Sequence, residues 1–226
     1  MDNIIWNKYK LVLFDFDNTM YEPQKMVRYI VPGDLRHALY SFNERKARKA
    51  LAGIDHNSQH DLQQQLCSFI ARKLNKETAK VERWYLHSYL PMLVRILRRH
   101  YRPRPDMQRL IDHLEAHNIN VGVLSDYPLV RQRLHAIGIN VNSQRLWSTE
   151  EAGALKPNPR PIIEISRETD IPLDNILVIG DRPDTDGLAA RNAGCDAIIV
   201  RTNKKNTDNF LTLTWSEIVG SAMKQL

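Results

Sequence analysis

The chain has 226 residues, 42% of them hydrophobic and 26% charged, with a net charge of +6. These are ordinary values for a soluble globular protein, and the length fits one large domain or a core with a substantial insertion. Cys67 and Cys195 lie far apart, which excludes a disulfide framework or a CxxC zinc site and makes a reducing, cytoplasmic setting the expectation. The opening MDNIIWNKYK lacks the basic-then-apolar pattern of a signal peptide, and no apolar run reaches membrane-spanning length, so no membrane partner is expected.

In chain order, residues 11–16 (LVLFDF) form a short, nearly continuous apolar run, the pattern of a central parallel strand covered on both faces. It runs out in Asp15 and Asp17, and two carboxylates at the end of a buried strand need compensation. Residues 23–102 then show no strand run but three helical patterns, at 34–52, 60–74 and 77–101, with Pro91 expected to kink or divide the third. This segment holds 16 Lys/Arg against 6 Asp/Glu. Beyond it, helical patterns at 105–117, 128–137, 158–168 and 185–193 alternate with apolar runs at 119–124, 176–180 and 196–200. Gly138 and Gly194 stop two of the helices, and 212–215 with 216–225 add a last strand and helix. The alternation predicts an α/β fold, a parallel-sheet core (1–22 and 103–226) interrupted after its first strand by an all-helical unit (23–102).

Four polar stretches fall at the ends of predicted strands: DFDNT, Ser125 of VLS, Lys156 of LKPNP, and GDRPDTD with Asp181, Asp184 and Asp186. In open α/β sheets ligands bind outside the carboxyl ends of the strands, so the four would share one crevice. Several carboxylates, a lysine and a hydroxyl in one cleft call for a cation, and oxygen ligands of this kind suit Mg²⁺.

In order and spacing these stretches resemble the haloacid dehalogenase-like (HAD) superfamily in its phosphatase branch, over residues 9 to 203; phosphoglycolate phosphatase-like enzymes with an α-helical cap are the nearest pattern. The resemblance implies a Rossmann-like core and a Mg²⁺-dependent phosphomonoester hydrolase acting on a small phosphorylated metabolite. Asp15 would be the nucleophile that forms an aspartyl-phosphate, and Asp17 the general acid/base, its backbone carbonyl also a metal ligand. Ser125 and the backbone N–H groups near Asn18 and Asp126 would hold phosphoryl oxygens, and Lys156 would neutralise Asp15 and the phosphate. Asp15 and Asp181 would complete the metal set, with Asp186 acting behind it on water or on Lys156. Whether Asp15 and Asp17 point the same way stays open, because the family's chain tightens after the nucleophile.

Two positions depart from the commoner pattern. Asp126 follows the serine where relatives often carry Asn or Gly, and Asn18 replaces Gly, while DNTMY resembles some pyrimidine nucleotidases. Asp184 has no role in the pattern and reads as a solvated loop carboxylate. True dehalogenases of the superfamily work without metal and lack the second Asp, so Asp17 and Asp181 favour the phosphatase. A phosphomutase keeps every motif present. The helical unit matches the family's lid, and its basic clusters, 43–51 and 95–104, are expected to steer anionic substrate. The other use of those clusters would be binding of nucleic acid or another polyanion; intact Asp15 and Asp181 favour the enzyme. Oligomeric state is not legible.

Overall fold

The computed structural model describes residues 4–22, 35–142, 144–200 and 210–226. Its centre is a six-stranded parallel sheet of β1 (Leu11–Phe14), β2 (Asn120–Ser125), β3 (Leu146–Ser148), β4 (Ile176–Gly180), β5 (Asp196–Val200) and β6 (Leu211–Leu213), in the order β3-β2-β1-β4-β5-β6. β1 lies between β2 and β4, with Phe14 in register with Val123 and Ile179. The chain thus builds outward on both sides of β1, and its carboxyl end is the switch point where α/β sheets bind ligands.

The unbroken apolar run of β1 follows from burial on both faces. Val12 and Phe14 join one core with Leu110, Leu114, Leu134 and Ile218, whereas Leu11 and Leu13 join another with Ile162, Ile165 and Ala189. Alternating side chains supply the two faces, and helices cover each.

Between β1 and β2, every described element but the last is part of the helical insertion. It comprises α1 (Leu35–Leu51), α2 (Gln59–Leu74), α3 (Thr78–Trp84) and α4 (Leu90–His100), followed by the core helix α5 (Met107–Ala116). Residues 23–34 at the start of the expected unit lie outside the described residues. Ser58 caps α2 by accepting from the Asp61 backbone N–H, and Asn75 ends it in the left-handed conformation. The division expected at Pro91 takes the form of a π-helical turn, Tyr85–Tyr89, immediately before α4. Proline has no N–H to donate and its ring crowds the preceding carbonyls, and a widened turn accommodates both. The insertion has its own apolar core, including Leu62, Leu66, Ile70, Val81 and Tyr85, into which Leu155 of the α/β part also packs.

The remaining helices are α6 (Val130–Ile137), α7 (Arg160–Thr169), α8 (Leu188–Ala193) and α9 (Trp215–Gln225). The predicted helix at 185–193 is a π-helical turn, Pro183–Gly187, running into the shorter α8. A capping box between Thr214 and Glu217 opens α9. Strand β3 is an element the sequence pattern did not suggest. Among the described residues no helix is long and apolar enough to cross a membrane.

Candidate active site

The carboxyl end of β1 places Asp15 on the sheet's switch point, where its backbone N–H still bonds to Ile179. The chain then turns through Asn18, which takes a positive φ of 60°. Asn is one of the few side chains that accept this conformation. Arg104 holds the turn from below, its Nε donating to the Thr19 carbonyl at 2.8 Å and its Nη2 to the Asn18 carbonyl at 2.9 Å. The Thr19 hydroxyl donates back to Asp15 Oδ2 at 3.2 Å.

Lys156 arrives from the loop between β3 and α7 and is buried. Its ammonium donates to Asp15 Oδ1 at 2.6 Å, to Asp186 Oδ1 at 2.7 Å and to the Leu124 carbonyl at 3.1 Å. An ammonium has three donors, and all three are used. Asp186 Oδ2 accepts the Arg182 backbone N–H at 3.1 Å, so this carboxylate is spent on holding Lys156 and its own loop. Gly180 is required behind it: a Cβ there would lie 2.4 Å from the Asp186 Cβ and carboxyl.

Asp15, Asp181 and Asp186 each offer a carboxylate oxygen within 4.8 Å of the others. Counting Asp17, four carboxylates meet two fixed cations, Lys156 and Arg133. Burial raises Asp15 well above the usual carboxylate range; Lys156 pulls against this, while Asp186, Asp181 and Asp17 add to it. Burial and the neighbouring Asp186 push Asp181 up to about 7, offset in part by Lys156 and Arg182. Burial also works against the charge on Lys156, but Asp15, Asp186 and Asp126 outweigh it and raise its pKa well above the ordinary value. The all-oxygen donor set of Asp15, Asp181 and Asp186 fits a divalent cation such as Mg²⁺. Asp15 and Asp181 have the carboxylate oxygens to hold it, with Asp186 behind them.

Asp17 turns to a different partner. Its two oxygens lie 2.7 and 2.6 Å from Nη2 of Arg133, a buried residue of α6, and Tyr21 donates to Oδ1 at 2.6 Å. Burial would raise Asp17, but Arg133, Tyr21 and Lys156 together hold it below the usual range. Ser125, fully buried at the end of β2, accepts from Arg133 Nη1 at 2.6 Å and from the Tyr127 N–H at 3.2 Å. The Asp126 carboxylate points away into the loop after β3, accepting from the Thr149 hydroxyl at 2.7 Å and the Lys156 backbone N–H at 3.3 Å. The Asp126 carboxylate is thereby held by its own loop rather than by Asp15 or Ser125. Asp184 is exposed and paired with Arg182 at 2.6 Å, a solvated loop carboxylate.

Three arginines of this site were not singled out from the sequence. Arg133 sits three residues after Val130 and is followed by Leu134 and Ile137 at helical spacing, so it lies on the apolar face of α6, the one signal that marked it. Arg104 and Arg48 were counted among the basic clusters, but both are buried. Arg48, on α1, pairs with Glu44 and Glu150 and donates to the Tyr85 hydroxyl at 2.5 Å and the Asp126 carbonyl at 2.9 Å. It ties the helical insertion to the β2 end of the site, and the Tyr127 ring lies 3.8 Å beneath its guanidinium.

A family model, haloacid dehalogenase-like hydrolase, matches residues 9–194. The chain belongs to this family. Among curated relatives, a glyceraldehyde 3-phosphate phosphatase of Methanothermobacter thermautotrophicus is 23% identical over 85% of this chain and 86% of its own length. A protein of the same name from Methanopyrus kandleri is 29% identical over 105 residues, 46% of this chain and 45% of that relative, so that match spans under half of its length. A solved 2-haloacid dehalogenase of Pseudomonas syringae pv. tomato shares the fold, with a TM-score of 0.63 at 17% identity, covering 96% of this chain and all of that one. The protein is therefore a HAD-like hydrolase, with three of its motifs at strand ends and Lys156 reaching Asp15 and Asp186 from the loop after β3.

Proposed function

We propose that this HAD-like hydrolase is a Mg²⁺-dependent phosphatase of a small phosphorylated metabolite, working through an aspartyl-phosphate on Asp15. The observation that carries the reading is the Asp15–Lys156–Asp186 chain with Asp181 beside it. It combines an anionic nucleophile, a buried ammonium to neutralise it and a carboxylate set suited to a cation. The cation would offset the phosphate's charge and let one anion approach another.

An Asp15 carboxylate oxygen attacks phosphorus, and the bond to the leaving oxygen breaks as Asp17 gives that oxygen a proton. Arg133 holds Asp17 ionised in the substrate-free protein, so this proton arrives with the ester, whose second pKa is about 6. Asp17, ionised again, then takes a proton from water as it attacks phosphorus, and phosphate leaves Asp15. Lys156 keeps Asp15 oriented through both halves. The Ser125 hydroxyl and the backbone N–H groups near Asn18 and Asp126 hold phosphoryl oxygens.

The relatives named as glyceraldehyde 3-phosphate phosphatases support a small, hydroxylated leaving group of triose size. The likeness to a dehalogenase is one of fold, and the presence of both Asp17 and Asp181 favours phosphoryl chemistry. The insertion, residues 23–102, would act as a lid over the crevice and exclude bulk water while the intermediate forms. Exposed Arg45, Lys46, Lys49, Arg95, Arg98 and Arg99 remain available to steer anions, with Arg48 and Arg104 withdrawn for structure. Phosphate release from a panel of phosphomonoesters with Mg²⁺ or EDTA tests the reading. Mg²⁺-dependent release that Asp15→Asn abolishes supports it, and no release from any ester removes it.

A further inference from the structure

We infer that Arg133 is the positioning residue of this site, fixing the direction of the Ser125 hydroxyl and the place of the Asp17 carboxylate together; the inference rests on the phosphatase reading. A serine hydroxyl has two acceptor positions and one donor. At Ser125 the acceptor positions are taken by Arg133 Nη1 at 2.6 Å and by the Tyr127 N–H at 3.2 Å. Among the described residues no acceptor takes its O–H, although the side chain is fully buried. The hydroxyl is left as a donor toward an anion, the orientation that a phosphoryl oxygen needs. Without Arg133, one acceptor position falls open and the hydroxyl can rotate.

The same guanidinium fixes Asp17. Nη2 spans both carboxylate oxygens at 2.7 and 2.6 Å, and the guanidinium carbon lies 4.2 Å over the Phe16 ring. One planar, rigid group thus sets the angle between a phosphate-binding hydroxyl and the acid/base that serves the leaving oxygen. Lysine carries the charge but not the fork and cannot reproduce both contacts. The side chain reaches the site from α6, anchored by Val130, Leu134 and Ile137 in the core.

The test is steady-state kinetics of Arg133→Lys and Arg133→Met with two esters, p-nitrophenyl phosphate and an alkyl phosphate such as glycerol phosphate, each with Mg²⁺. p-Nitrophenolate leaves without a proton, whereas an alkoxide does not. Losing the placement of Asp17 should lower kcat/KM for the alkyl ester by about 100-fold more than for the aryl ester, the usual range for a general acid. A burst of p-nitrophenolate should appear as the intermediate's hydrolysis, which also uses Asp17, becomes slow. Ser125→Ala should lower kcat/KM for both esters equally. Arg133→Lys guards against misfolding of the Met variant and should keep the same ester dependence. Equal losses for the two esters, or none, would overturn the inference while leaving the phosphatase reading intact. No hydrolysis of either ester by the unaltered protein would remove both.

Discussion

Gly180 is the residue whose replacement most sharply tests how the site is held together. It ends β4 and touches no reacting atom, yet an added Cβ would lie 2.4 Å from the Asp186 Cβ, Cγ and Oδ2. Carbon atoms pack at about 3.5–4.0 Å, so Gly180→Ala must drive Asp186 back by roughly 1 Å or more. The 2.7 Å Lys156–Asp186 contact then breaks, and Lys156 keeps only Asp15 and the Leu124 carbonyl. Overpacking of this kind costs about 1–3 kcal/mol, and a displacement of about 1 Å in a supporting group can cost about 100-fold in rate. The variant should therefore melt several degrees lower and lose kcat far out of proportion to its small change in volume. The assay is a thermal melt with steady-state kinetics on Gly180→Ala, Asp186→Ala and the double variant. The double variant should still melt below Asp186→Ala alone, because alanine at position 186 removes the clashing carboxyl but keeps a Cβ that lies 2.4 Å away, and this further loss should be smaller than the loss Gly180→Ala causes on its own. Wild-type kcat and melting temperature in Gly180→Ala would refute the reasoning.

Metal affinity should rise with pH through about 7, because Asp181 is pushed up to that value by burial and Asp186 and only its ionised form binds a cation. Titration calorimetry in two buffers at pH 6 should show proton release on Mg²⁺ binding, and flat affinity from pH 5.5 to 8 would contradict it. The stability sign follows from the same group. A carboxyl whose folded-state pKa is raised binds more protons folded than unfolded, so it lowers metal-free stability as pH climbs from about 4 to 7. The melting-temperature gain from Mg²⁺ should accordingly be larger at pH 8 than at pH 6. Arg48→Met leaves Glu44 and Glu150 buried without their cation, a loss of about 3–5 kcal/mol that thermal melts would register as a drop of about 10 °C. Replacing exposed Arg95, Arg98 and Arg99 by Gln should flatten the salt dependence of kcat/KM without changing kcat; an unchanged dependence would end the steering role.

The parts of the fold that were legible share one physical cause. β1, β2 and β4 are buried on both faces almost throughout, as β5 is over Ile198, Ile199 and Val200, and so appear as apolar runs, and helices bounded by Gly138 and Gly194 stop where glycine takes a positive φ. β3 escaped because it has three residues at the sheet edge, two of them half-exposed, and carries no run at all. The candidate site positions were legible because their polar groups are concentrated in short strings, most of them at strand ends. Their supports were not: Arg133, Arg104 and Arg48 are distant in sequence from what they hold, by 116 residues for Arg133 and Asp17. An arginine in a basic segment looks the same whether it faces solvent or a carbonyl. Asp184 and Asp186, two residues apart, separate for a similar reason, since the π-helical turn sends one outward to Arg182 and the other inward to Lys156.

The central claim is that Asp15 carries the phosphoryl group during turnover. Rapid acid quench of the protein with Mg²⁺ and its best ester, followed by mass spectrometry of the peptide spanning residues 11–25, measures this directly. The expected result is one added phosphoryl group on Asp15, longer-lived in Asp17→Asn and absent with EDTA. Steady turnover with no adduct in either protein, or an adduct on another residue, would contradict it.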